Sequence, residues 1–106
     1  MRTYPTYAAV IDDKLVGFCA ILIQSKEAVL DHLWVLPARI GSGVGRALFA
    51  QAEKTAREAG AYRMKIVGDP HAEGFYRAMG ATMYGKEPAT IEGHERFLPL
   101  FEKALS

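Results

Sequence analysis

Cysteine is almost missing from this 106-residue chain: only Cys19 is present, so no disulfide within the chain is available to brace a small fold. Long hydrophobic runs are missing too. The longest apolar stretch, residues 15–23, contains Gly17 and falls far short of the roughly 20 residues that a membrane-spanning helix needs. The opening residues, Met1-Arg2-Thr3-Tyr4-Pro5, hold none of the apolar core of a secretory signal, so a cytoplasmic location is expected, with no membrane partner. Charge of one sign is not in excess. Lys and Arg number 13 against 12 Asp and Glu, a net charge of +1, which gives no reason to expect a nucleic-acid-coating surface. His32, His71 and His94 fall at no metal-ligand spacing and have no cysteine pair beside them, so no metal is expected. What remains is an ordinary globular balance, half apolar and 24% charged, of a length that suits one domain around one core.

Apolar and β-branched runs bounded by turn residues predict strands at residues 6–11, 15–23 and 29–36. The turns between them, Asp12-Asp13-Lys14 and Gln24-Ser25-Lys26, are short enough to require hairpins, hence an antiparallel meander. The second run is nearly all apolar, which predicts burial on both faces and makes Cys19 a small core residue. Pro37 stops the third.

The period then changes. Val44, Leu48, Ala52, Thr55, Ala56 and Ala59 recur at helical spacing, with Arg46, Glu53, Lys54, Arg57 and Glu58 opposite and Gly60 placed to end the helix. Residues 62–67 read as the next strand, so residues 29–67 form a strand–helix–strand crossover with two parallel strands. Asp69 and Pro70 are the expected N-cap and first residue of a short second helix that runs to Met79 and stops at Gly80. Residues 81–84 are expected as strand, 85–95 as loop and 97–105 as a final strand, where Pro99 favours an edge or a bulge. A C-terminal helix is the competing reading. The expected class is α/β (α+β), with a mixed sheet and a short second helix.

In such folds a ligand sits beyond the C-terminal ends of the strands, where the next helix begins. That place is held by Arg39-Ile40-Gly41-Ser42-Gly43-Val44-Gly45-Arg46. Alternating glycines let the backbone approach a ligand closely. The helix start supplies unpaired N–H groups and the positive end of its dipole, which together bind pyrophosphate. Arg39 and Arg46 flank the turn. No Gly-Lys-Ser/Thr follows, so it is no P-loop, and Gly45 comes one residue too early for a dinucleotide fingerprint.

The stretch Leu33-Trp34-Val35-Leu36-Pro37-Ala38-Arg39-Ile40-Gly41-Ser42-Gly43-Val44-Gly45-Arg46-Ala47-Leu48 resembles the GNAT superfamily of N-acetyltransferases, and Ala72-Glu73-Gly74-Phe75-Tyr76-Arg77-Ala78-Met79-Gly80 resembles that family's second motif. The resemblance covers roughly residues 6–105. It implies a splayed sheet, with acetyl-CoA inserted between the diverging third and fourth strands. It further implies a bulge within residues 33–36 whose free amides face the pantetheine and the acetyl group, and cofactor contacts from Leu33, Trp34, Val35, Arg39, Gly41, Ser42, Gly43, Val44, Gly45, Arg46, His71 and Phe75. Ile40 stands where relatives carry Gln or Arg, and His71 where many carry Asn. The family's usual first strand and first two helices have no counterpart ahead of residue 6, which implies either a minimal single domain with an open acceptor site or a second copy that supplies the missing wall.

The implied activity is transfer of acetyl from acetyl-CoA to an amine acceptor in a ternary complex, the alternative being a non-catalytic acyl-CoA-binding module. Tyr76 matches the family's tyrosine, the acid that protonates the departing sulfur. A phenol, with a pKa of about 10, is protonated at neutral pH and able to donate. For the base, Asp31 and His32 are candidates in the third strand, where alternation lets only one face the cleft. Acidic residues at this depth in relatives favour Asp31, with Glu27, Glu73, Glu92 or a water chain as the other routes.

Overall fold

The computed structural model describes residues 2–68 and 72–105. Its elements are β1 (Arg2–Thr3), β2 (Thr6–Ile11), β3 (Lys14–Gln24), β4 (Glu27–Val35), a 3-10 turn (Pro37–Arg39), α1 (Val44–Glu58), β5 (Arg63–Val67), α2 (Glu73–Ala78), β6 (Thr82–Ile91) and β7 (His94–Ala104). The strands form one sheet in the order β1-β3-β4-β5-β7-β6, and β2 also pairs with β3. β1 and β2 lie end to end along β3, so they act as one edge strand broken at Tyr4-Pro5.

The meander β2–β3–β4 is antiparallel, and β4 pairs with β5 in parallel across the α1 crossover, as the period change in the sequence predicts. Asp12 and Asp13 both take positive φ (52° and 62°) in the two-residue turn between β2 and β3. Aspartate tolerates that conformation, and it matches the twist of a hairpin.

α1 buries Val44, Leu48, Phe49, Ala52 and Ala56 against β2, β3 and β4. Cys19 faces it from β3, fully buried, with its thiol directed at the Leu48 carbonyl (3.7 Å). Desolvation pushes that thiol's pKa up, opposed by a backbone hydrogen bond from Tyr7. Cys19 is therefore an inert core side chain, closed off from any substrate.

Among the buried residues Glu53 is charged. Arg57 Nη2 (3.1 Å) and Lys103 Nζ (3.0 Å) hold its carboxylate, so this one side chain ties α1 to β7. Glu53→Gln is expected to lower stability by about 1–3 kcal/mol, because it leaves the half-buried Lys103 without its counter-charge. Urea denaturation would show this as a lower midpoint at unchanged slope.

Two expectations are corrected. Residues 85–95 are not a loop: β6 continues to Ile91, turns through Glu92 (φ 53°) and Gly93 (φ 80°), and pairs with β7 from His94 onward. Apart from Ala89, the described side chains of residues 86–97 are exposed, so backbone pairing builds this arm with no apolar alternation to announce it. The last strand is also interior, between β5 and β6, although it carries Pro99. Pro99 lies just past the end of the β5 ladder, which closes at Val67↔Leu100, and its carbonyl accepts the Gly68 N–H (2.9 Å). Its missing N–H thus faces the end of a neighbour and spares the β6 ladder. The expected bulge is on the partner strand, at Tyr84. No helix among the described residues is long and apolar enough to cross a membrane.

Candidate functional site

The site begins where two strands separate. β4 and β5 pair from Glu27↔Arg63 to Leu30↔Ile66 and then part. The parting coincides with a bulge: Ile21 pairs with Leu30 and Ala20 with His32, which leaves Asp31 as an extra residue in β4. A bulge bends its strand and increases the local twist, and here it turns β4 away from β5. It lies earlier than the 33–36 span expected from sequence. The reason is packing: Leu30 is buried and Leu33 packs on the same core, yet they are three residues apart. Only an inserted residue lets both face α1.

Beyond the bulge the ladder with β3 is regular. Leu36 N–H donates to the Val16 carbonyl (2.8 Å), so by antiparallel alternation the amides of His32 and Trp34 also point at β3. Those of Leu33 and Val35 point the other way, into the opening. Of the three expected backbone donors, the amides of Leu33 and Val35 are turned into the opening, and the Trp34 amide is committed to the sheet.

The chain leaves β4 through Pro37–Arg39. Arg39 N–H donates to Leu36 O (2.7 Å) and Ser42 N–H to Arg39 O (3.1 Å), and the Ser42 hydroxyl donates to that same carbonyl. Ser42 thus shapes the turn with both of its donors. Gly41 and Gly43 have φ of 88° and 95°, and a Cβ on either would meet nothing within 4 Å, so the space over the turn is open. The first helical bond of α1 runs from Ala47 N–H to Gly43 O (3.0 Å). Ahead of it, the amides of Gly43, Val44, Gly45 and Arg46 find no backbone acceptor among the described residues, no side-chain hydrogen bond caps the helix there, and its first turn holds no acid. The positive end of the dipole therefore faces outward unneutralised. Among the described residues neither Arg39 nor Arg46 has a carboxylate within ion-pair distance.

Gly45 serves differently. A Cβ there would lie 3.3 Å from the Phe75 ring and 3.5 Å from Val35, so its bare backbone is what lets α2 and β4 close on the start of α1. Phe75 in turn stands edge-on to Phe49 (6.1 Å between centroids) and to Tyr76 (5.4 Å). Tyr76 is buried, 6% exposed, and also packs on Phe101 (5.5 Å). Gly68, directly after β5, makes room for both rings, since a Cβ there would come within 3.2 Å of each. Tyr76 is thereby fixed beside the end of β5, where the strands have separated. His71, with Asp69 and Pro70, lies outside the described residues.

The opposite, helix-free face carries the other candidate residues. Normal alternation would have put Asp31 and His32 on opposite faces; the bulge puts both on this one, exposed, with Asp31 Oδ2 3.4 Å from His32 Nε2. Trp34 shares this face and packs on Phe18 (5.9 Å). This face also carries an open groove of about 390 Å³, lined by Val29, Lys65, Val67, Tyr84, Glu87 and Leu100 among others. Val29 borders the bulge and Val67 the end of β5, so the groove meets the opening between the strands.

Known proteins share this fold. Residues 2–81 match the model of the acetyltransferase (GNAT) family. No curated protein sequence matches the chain. Among solved structures, nourseothricin acetyltransferase superposes with a TM-score of 0.88 at 28% identity, over 97% of this chain and 66% of its own. A GCN5-related N-acetyltransferase from Rhodopseudomonas palustris gives 0.85 at 24% identity, over 96% of this chain; this chain spans only 62% of that one's length. An aminoglycoside 6'-N-acetyltransferase complexed with coenzyme A gives 0.84 at 20% identity, over 97% of this chain and 73% of its own.

Proposed function

The chain belongs to the acetyltransferase (GNAT) family, and from that premise we propose that it transfers the acetyl group of acetyl-CoA directly to an amine in a ternary complex, as one cytoplasmic domain. The observation that carries this reading is a pair of donor sets on either side of one turn: the outward amides of Leu33 and Val35 in the strand opening, and those of residues 43–46 at the start of α1. An extended thioester with a diphosphate at its far end needs such a pair. A relative complexed with coenzyme A shares the fold, which agrees with this ligand class.

In this reading the α1 amides, with Arg39 and Arg46, hold the diphosphate. The β4 amides hold the pantetheine arm and polarise the thioester carbonyl. Tyr76 returns a proton to the sulfur as the C–S bond breaks. The acceptor enters from the helix-free face along the groove, where Asp31 contributes the carboxylate of the base. Gly41 and Ser42 shape the turn, while Phe75 walls the opening.

Calorimetry with acetyl-CoA tests the ligand, and thiol release with a panel of amines tests the reaction. Absence of binding at millimolar ligand would remove the proposal, whereas binding without turnover would leave only a coenzyme-binding module. Arg39→Ala and Arg46→Ala are each expected to weaken acetyl-CoA binding by about 10-fold through lost charge-assisted hydrogen bonds. The double variant should also show a flatter dependence of affinity on salt, since it has fewer charges to screen.

A further inference from the structure

We infer that the base is a pair and not a lone carboxylate: His32 takes the proton from the acceptor amine, and Asp31 positions its imidazole. This rests on the acetyl-transfer reading and specifies its acceptor side. The bulge is the carrying observation. It breaks alternation where β4 leaves β5, which sets the two side chains on one face with His32 Nε2 3.4 Å from Asp31 Oδ2. With Nε2 turned to the carboxylate, Nδ1 is the nitrogen left for the substrate.

Imidazole is the side chain that ordinarily changes charge between about pH 5 and 8, so it both accepts and releases protons near neutrality. The His32 side chain is 63% exposed and passes its proton on to water between turnovers. Among the described residues its surroundings leave Asp31 as its counter-charge. Ala20 lies opposite on β3, and Phe18 and Leu22 flank it there without charge, as does Thr6 on β2. Farther along the same face Glu27 is already engaged by Arg63 (3.8 Å) and Lys65 (3.7 Å).

The protons balance. The ammonium gives one proton to His32. The neutral nitrogen forms the C–N bond as the C–S bond breaks, the sulfur takes its proton from Tyr76, and the second amine proton restores Tyr76. The net products are amide, free thiol and the one proton that His32 hands to solvent.

The test uses the whole chain, acetyl-CoA and a panel of primary alkylamines, amino sugars and peptides with free N-termini. Thiol release is followed from about pH 6 to about pH 9, the span in which imidazoles and amines change charge. The parent is expected to turn over at least one acceptor with a rate that climbs through neutrality. His32→Gln should lower kcat about 100-fold or more, abolish that acid limb and leave acetyl-CoA affinity unchanged. Added imidazole should restore part of the rate to His32→Gly. Asp31→Asn should slow turnover about 10-fold, and Asp31→Asn/His32→Gln should be no slower than His32→Gln alone, because residues acting as a unit lose their effect together. Both side chains are exposed, so unchanged melting temperatures are expected. A His32→Gln variant with the parent's rate and pH limb overturns the pair and leaves acetyl transfer standing. Additive losses without imidazole rescue overturn it too. Failure of the parent to acetylate any amine while it binds acetyl-CoA overturns the acetyl-transfer reading and the pair together.

Discussion

Tyr76→Phe is expected to lower kcat by roughly 10²- to 10³-fold while acetyl-CoA affinity stays within a factor of about two, the span associated with losing one well-placed proton donor. The tyrosine ring packs among Phe49, Phe75 and Phe101 at centroid distances of 6.3, 5.4 and 5.5 Å. Phenylalanine keeps every one of those carbon contacts, so packing changes little and a large loss of turnover would report on the hydroxyl. In the proposed reaction the leaving thiolate is the group it serves: without a nearby acid the C–S bond would have to break to a fully charged sulfur beside aromatic rings, where unpaired charge is costly. Steady-state thiol release gives kcat, and calorimetry gives the affinity. A variant with the parent's turnover would reduce Tyr76 to a packing residue that fastens α2 to the sheet, the role its burial alone would support.

Much of this architecture was legible in the chain because hydrophobic burial writes a period. The stripe Val44, Leu48, Ala52, Ala56 announced α1, and the buried faces of β3, β4 and β5 announced the crossover. Where burial stops, the period stops. The outer half of the β6–β7 arm is solvated on both sides, so its strands left only the Glu92-Gly93 turn as a trace. The glycine turn was legible because its bend needs positive φ at Gly41 and Gly43, a conformation that glycine adopts without strain. The bulge was readable in principle: Leu30 and Leu33 on one face of a strand demand an extra residue between them. Its consequence, Asp31 and His32 side by side, follows only once strand pairing is known, since the alternation rule forbids it locally. The packing role of Gly45 depends on Phe75, thirty positions away along the chain, and no local pattern encodes it.

Two glycines at opposite ends of α1 allow strain to be separated from binding. Gly43 before the helix and Gly60 after it have nearly equal φ, 95° and 90°, and a Cβ on either would meet nothing within 4 Å. Gly60 closes the helix in the usual two-bond way, its N–H to Arg57 O (3.0 Å) and the Ala61 N–H to Ala56 O (2.9 Å). A β-branched residue is equally unwelcome at both positions, at a cost of roughly 1–3 kcal/mol in each. Gly43→Val and Gly60→Val should therefore lose comparable stability by chemical denaturation. Their effects on acetyl-CoA should diverge. Valine at 43 forces the turn out of its left-handed conformation and swings the amides of residues 43–46 off their common target. Losing two hydrogen bonds to a charged group, at about 1.5–3 kcal/mol each, weakens binding by about 100-fold or more. Valine at 60 leaves that end of the helix untouched, and affinity should hold within about twofold once measured where both variants remain folded. Equal affinities for the two variants would mean that the diphosphate is gripped elsewhere, because the same strain would then have had no address.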